Sequence, residues 1–280
     1  YGDTGVVMRA ESSATEGAGN ALTVSGNDAD NDEGIMSLGS PAFMVSDTGG
    51  TAGKLWFEAR IKKASVANNG VSQFIGLADD FGAQKRIAES ANAMADDTAN
   101  LGAFSFLGFH QDAANGDSWD LVVRAEGGAQ TVLISGVDVI VADTYAKLGF
   151  VYDPAAPAAE QIAIYVDGVK QTTFVTADNI AAATFPDAEA LAPTWATKTG
   201  AAAEVVCSLD CLLLERQYER SLGLRLEIRS IILSMLSVLP LRGSIPLARS
   251  SSSHLGSWFP SRSFQASTLA IQELLALPSI

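Results

Sequence analysis

The 280-residue chain is short of the residues that build most catalytic and metal centres: it has two cysteines and two histidines, and only 18% of it is charged. Cys207 and Cys211 lie four apart in a strand-like run, which sets their α-carbons ~13 Å apart, beyond disulfide reach. They are read as buried free thiols. His110 and His254 are far from that pair in sequence, so a tetrahedral metal site lacks ligands and neither metal nor cofactor is expected. Long apolar runs are also missing. No stretch approaches the ~18 uncharged apolar residues of a bilayer-spanning helix, which leaves a soluble globular protein without a membrane partner as the expectation. The chain opens on Tyr1 with no methionine and no basic-then-apolar leader, and is read as a processed form or a fragment.

Positive charge is scarce in most of the chain. Residues 1–215 hold 11 Lys and Arg against 29 Asp and Glu, whereas residues 216–280 hold 7 against 3, so the net charge of −14 divides into −18 and +4. A body this acidic repels phosphate backbones and lacks the basic stripe that drives counterion release, which excludes nucleic acid as its partner.

What is present is two-residue alternation. In 54–63, Leu55, Phe57, Ala59 and Ile61 alternate with Lys54, Glu58, Arg60 and Lys62, the pattern of a strand with one face in a core and one in water. The same reading covers 146–152 and 162–166, the latter followed by Asp167-Gly168, a hairpin turn signal. Further strands are expected at 6–10, 21–25, 72–78, 104–109, 120–125, 131–135, 171–176, 194–197 and 205–214. The only helix expected is a loop decoration over 84–94. About a dozen short strands and almost no helix imply two packed antiparallel sheets in one all-β domain, residues 1–217.

Residues 218–280 differ in kind. From 216 onward Leu, Ser and Arg supply 34 of 65 residues, and Lys, Asp and Asn are absent. These are the residue types with the most codons, so the segment is read as an irregular tail resembling translation of an unselected frame. The alternative is an added strand through Leu222, Leu224, Leu226 and Ile228, or a short helix over 231–239 ending at Pro240.

The stretches LWFEARIKK (55–63), YAKLGFVYD (145–153) and IAIYVDGVKQ (162–171) resemble the concanavalin A-like lectin and glucanase superfamily. The last is similar to the strand-turn-strand of laminin G-type modules, and the first to a strand of laminarinase-type glucanases. The run ATFPDAEALAPTWATKTGAAAE leading into SLDCLLLE is similar to the corresponding end of phage structural proteins with this fold. The resemblance spans residues 1–217 and implies a two-sheet jelly-roll sandwich. It also implies a non-enzymatic virion structural or decoration protein, partnered by other virion proteins or by copies of itself.

A retaining glucanase needs two carboxylates ~5–5.5 Å apart. The strand expected to carry them reads SQFIGLADD (72–80), with Phe74, Ile75, Gly76 and Leu77 at its interior, and the adjacent Asp79 and Asp80 point to opposite faces. Catalysis therefore survives only if carboxylates distant in sequence converge. The runner-up role is a carbohydrate-binding module whose surface glycans stack on Trp56, on the polar side of its strand, and on Trp119, in the loop-to-strand run NGDSWD. Three motifs are set aside. NDADNDEG (27–34) spaces Asp28, Asp30 and Asp32 as in a calcium loop, but Gly34 falls one position late and Gly39 stands where a bidentate Glu should close the shell. DTGGTAGK (47–54) lacks the first glycine of a phosphate loop and precedes a strand. His110, without a nucleophile elbow, is read as a surface or hydrogen-bonded residue.

Overall fold

The computed structural model describes residues 7–12, 20–25, 33–37, 41–45, 53–66, 71–79, 101, 104–112, 117–187, 189–199, 206–219 and 225–230. The chain divides into units Tyr1–Val238 and Leu239–Ile280, and all the described residues belong to the first. The expected helix at 84–94, the acidic run Asp28–Asp30–Asp32, Asp80 and His254 fall outside them. Among the described residues no helix is long and apolar enough to cross a membrane.

The fold is the expected all-β sandwich of two antiparallel sheets, a jelly roll. One sheet runs β1 (Val7–Ser12), β2 (Asn20–Ser25), β13 (Val206–Glu219), β4 (Leu55–Lys63), β9 (Ala146–Tyr152), β10 (Ile162–Val166), β11 (Val169–Val175), with β14 (Arg225–Ser230) pairing to β13. The facing sheet runs β3 (Glu33–Ser37), β12 (Leu191–Thr199), β5 (Val71–Asp79), β6 (Phe106–Gln111), β7 (Ser118–Arg124), β8 (Thr131–Val139). A single turn of helix, α1 (Ala177–Ile180), is closed by a capping box in which Thr176 and Asn179 satisfy each other's backbone.

The alternation read from the sequence is the alternation observed. β4 is buried at every second residue from Leu55 to Lys63. Within the eight-stranded sheet Phe57 stacks on its cross-strand partner Phe150 with centroids 5.0 Å apart, and across the seam Phe109 of the facing sheet meets Phe150 at 6.2 Å. The turn after β10 has Asp167 at φ 49° and Gly168 at φ 80°, the two positive values a type I′ hairpin requires. On the outer face of the six-stranded sheet, Gly76 and Gly108 sit side by side. A Cβ on Gly76 would lie 2.5 Å from the Gly108 Cα, so glycine is what lets β5 and β6 approach there.

β12 extends beyond the expected 194–197, through Pro193, which usually stops a central strand. Leu191 exchanges backbone hydrogen bonds with Phe43, and the β3 ladder begins only at Thr194. Among the described residues Pro193 lies between these two pairings.

Two burial expectations are corrected. Cys207 is buried but Cys211 is exposed, because β13 shifts register against β4 between Leu209 and Cys211. Before that bulge Cys207 and Leu209 point inward; after it Leu212 and Leu214 do, and Cys211 is turned out. His110 is 4% exposed rather than a surface residue. It lies on the outer face of β6, opposite Asp120 in register, and burial lowers its pKa to about 4, so the imidazole is neutral at pH 7.

Candidate functional site

A cavity of about 180 Å³ opens at the end of the sandwich where β4 and β8 finish and β9 begins. Its apolar wall includes Trp119, Val139, Val141 and Tyr145, and its polar groups include Thr144, Asp138 and Asp167. Both sheets contribute: Trp119 and Asp138 come from β7 and β8, Tyr145 from just before β9, and Asp167 from the β10–β11 turn.

Each polar group is held by its local backbone. The Asp167 carboxylate accepts a hydrogen bond from the Lys147 N–H at 2.9 Å, and the Asp167 N–H donates to the Lys147 carbonyl at 2.8 Å, which pins the hairpin tip against the start of β9. Burial pushes the Asp138 carboxyl up from the usual carboxylate range; the nearby Asp167 charge acts in the same direction, and a hydrogen bond from the Val139 backbone opposes them. The Tyr145 ring carries the Arg60 guanidinium 4.0 Å from its centroid and the Lys62 ammonium at 4.8 Å.

The end of β4 also carries a polar group of the core. Lys63 and Cys207 oppose each other in register on the eight-stranded sheet, and Gln73 and Gln111 oppose each other on the six-stranded one. The Lys63 Nζ donates to the Val71 carbonyl at 2.6 Å and to the Gln111 Oε1 at 2.9 Å, and the Gln73 Nε2 donates to the Cys207 Sγ. Desolvation lowers the Lys63 ammonium to about 8, against a smaller raising effect of Cys207, and burial pushes the Cys207 thiol up to about 12.

The two aromatic residues expected to bind sugar are separated by the fold. Trp119 is 2% exposed, not a shelf in water. β7 begins at Ser118, so Trp119 already follows strand alternation and points inward with Leu121 and Val123, leaving only its contribution to the cavity wall. Trp56 is half-buried on the outer face of the other sheet, in register with Val151 and Glu215, and does not line the cavity. Asp138, Tyr145 and Asp167 were not expected at a site; only the Asp167-Gly168 turn signal marked any of them. The outer face of β5 holds Ser72, Phe74, Gly76 and Ala78, so the strand expected to carry a glucanase pair has no carboxylate there. Among the described residues no group of three or more His, Cys, Asp or Glu is placed to hold a metal ion.

No protein-family model and no curated protein matches the chain. Solved structures do. The endo-β-1,4-glucuronan lyase of the fungus Trichoderma reesei aligns with a TM-score of 0.48 at 7% identity, over 76% of this chain and 89% of the lyase. The legume lectin-like domain from Entamoeba histolytica aligns with a TM-score of 0.43 at 13% identity, over 78% and 91% of the two chains. A carbohydrate esterase from the Shiga toxin-encoding bacteriophage phi24B gives 0.36 at 14% identity, over 74% and 87%. Similarity of this degree carries no argument about activity.

Proposed function

We propose that the protein is a non-catalytic carbohydrate-binding module and that the cavity at the end of the sandwich is its sugar site. The observation that carries this reading is the lining, in which Tyr145, Val139 and Val141 share a cavity of about 180 Å³ with Asp138, Asp167 and Thr144. A pyranose has the matching chemistry, an apolar C–H face and hydroxyls that donate to carboxylates. The volume is below the ~300 Å³ at which pockets for drug-sized ligands begin, so it suits one ring or a chain end. Presented with a glycan array, the full chain is expected to retain a subset of glycans, and Tyr145→Ala to lower that retention at least tenfold with an unchanged far-ultraviolet circular dichroism spectrum. Retention of no glycan, or retention unaffected by Tyr145→Ala, removes this reading.

The setting that the sequence resemblance supports is the surface of a phage particle. A second reading, a virion structural or decoration protein acting by protein contact alone, is favoured by four exposed apolar side chains. Val132 and Val139 lie on β8, Val141 just beyond it, and Val169 at the start of β11, the two strands that end their sheets on one side. Another virion protein or another copy of the chain would cover them. Mass spectrometry of purified particles, together with the genes beside this one, tests the setting; absence of the protein from particles rejects it.

A further inference from the structure

The bulge in β13 takes two successive residues, Asp210 and Cys211, out of the core. Leu209 pairs with Ile61 and Cys211 with Arg60, which leaves Asp210 as the inserted residue between them. Its carboxylate accepts a hydrogen bond from the Arg60 guanidinium at 2.5 Å. The same guanidinium lies 4.0 Å from the centroid of the Tyr145 ring, and Tyr145 borders the cavity. Arg60 pairs with Lys147 on β9, so Tyr145, two residues earlier, is its diagonal neighbour, within reach of a long side chain. Bulge, carboxylate, guanidinium and ring form a continuous chain of contacts from β13 to the cavity wall. Along it the Arg60 charge is balanced by Asp210, as the Lys147 charge is by Glu58 at 3.2 Å.

We propose that Asp210 is a positioning residue of the cavity, holding the Arg60 guanidinium on the Tyr145 ring and so fixing that ring as a wall of the site. The role rests on the glycan-binding reading of the same cavity. Tyr145 precedes the first residue of β9 and follows the exposed segment 141–144, so the sheet ladder alone does not order it. An ordered ring spares a ligand the entropy of immobilising it on binding. Both partners of the ion pair are partly exposed, and such a pair adds little to overall stability. Its effect is therefore local, on the side chain that the guanidinium covers.

Two measurements on the full chain test the proposal. The first needs no ligand: in an NMR spectrum of arginine-labelled protein the Tyr145 ring current shifts the Arg60 side-chain resonances, and Tyr145→Ala and Arg60→Lys assign that shift. Asp210→Asn is expected to reduce it at least twofold with an unchanged circular dichroism spectrum, and Asp210→Glu to keep most of it. The second is retention of neutral glycans on the array, expected to fall about two- to fivefold in Asp210→Asn, the range that exposed ion pairs support, and to persist in Asp210→Glu. A ring-current shift that survives Asp210→Asn overturns the positioning contact and leaves glycan binding standing. A reduced shift with undiminished retention, on glycans that Tyr145→Ala no longer retains, overturns the positioning role alone. Retention of no glycan by the wild type overturns the binding reading and this role together.

Discussion

The buried Lys63 makes a quantitative prediction about alkaline stability. Its ammonium is 1% exposed and falls from 10.5 to about 8 in the folded protein, with burial the larger cause. A folded-state pKa below the unfolded value means that the unfolded chain binds more protons between pH 8 and 10.5, so this group makes stability rise with pH across that window. The difference corresponds to ~3 kcal/mol, at about 1.4 kcal/mol for each tenfold change in proton affinity. Lys63→Met removes the titration. It also leaves the Val71 carbonyl and the Gln111 Oε1 without this donor, a cost of ~1–3 kcal/mol each that does not depend on pH. The stability of the wild type relative to the variant is therefore expected to increase by ~3 kcal/mol from pH 7 to 10.5. With a urea slope of ~2–3 kcal/mol/M, the gap between their midpoints should move by about 1 M. Fluorescence of the buried Trp119 and Trp195 follows the unfolding. Cys207 opposes this trend, because a thiol pushed up to about 12 makes stability fall as pH rises from 9. Because Lys63 is one of the charges acting on that thiol, the comparison is made in a Cys207→Ala background, where of these two groups only the lysine titrates. A midpoint gap that stays constant between pH 7 and 10.5 would refute the burial of a chargeable amine at this position.

His110 gives the acid counterpart: with its pKa lowered to about 4, stability is full above pH 6.5 and drops by ~3 kcal/mol as pH falls from 6.5 to 4, a loss that His110→Asn should largely remove in urea midpoints measured across that range. Gly108→Ala places a Cβ 2.6 Å from the Ile75 carbonyl oxygen and 2.7 Å from the Gly76 Cα, so a loss of ~1–3 kcal/mol or more is expected in thermal or urea unfolding. A neutral result would show that the strands can part there without cost. One thiol, Cys211, should react with an aromatic disulfide reagent in the native protein and both should react in urea; two fast equivalents without urea would contradict the placement of Cys207. Trp119→Ala is expected to cost ~3–5 kcal/mol as a core deletion, seen in the unfolding midpoint before any ligand is added.

Strands were legible in this sequence wherever two-residue alternation ran unbroken. The Leu55–Ile61 pattern gave a strand and also identified its buried face. Legibility failed where a local signal carried more than one meaning. β3 begins at Glu33, inside the acidic run NDADNDEG (27–34), which reads as a turn, and pairing with β12 is what makes its first residues a strand. The α1 turn was missed although Thr176 and Asn179 are spaced for a capping box, because four residues are too few to show helical periodicity. Trp119 was misplaced through the position of a strand boundary, the feature of a fold that local sequence specifies least well.

The candidate site was less legible than the fold for a related reason. Alternation assigns a residue to a face only within one strand and only until a bulge resets the count, as it does between Leu209 and Cys211. The cavity is built where strands stop: Asp138 one residue from the end of β8, Tyr145 one residue before β9, and Asp167 in a turn. Those residues have no periodic partner in the sequence and come together only through the pairing order that places β7 and β8 in one sheet and β4, β9 and β10 in the other. The same arrangement leaves the cavity free to vary in chemistry, because Asp138, Tyr145 and Asp167 stand outside the Phe57, Phe109 and Phe150 packing that holds the two sheets together.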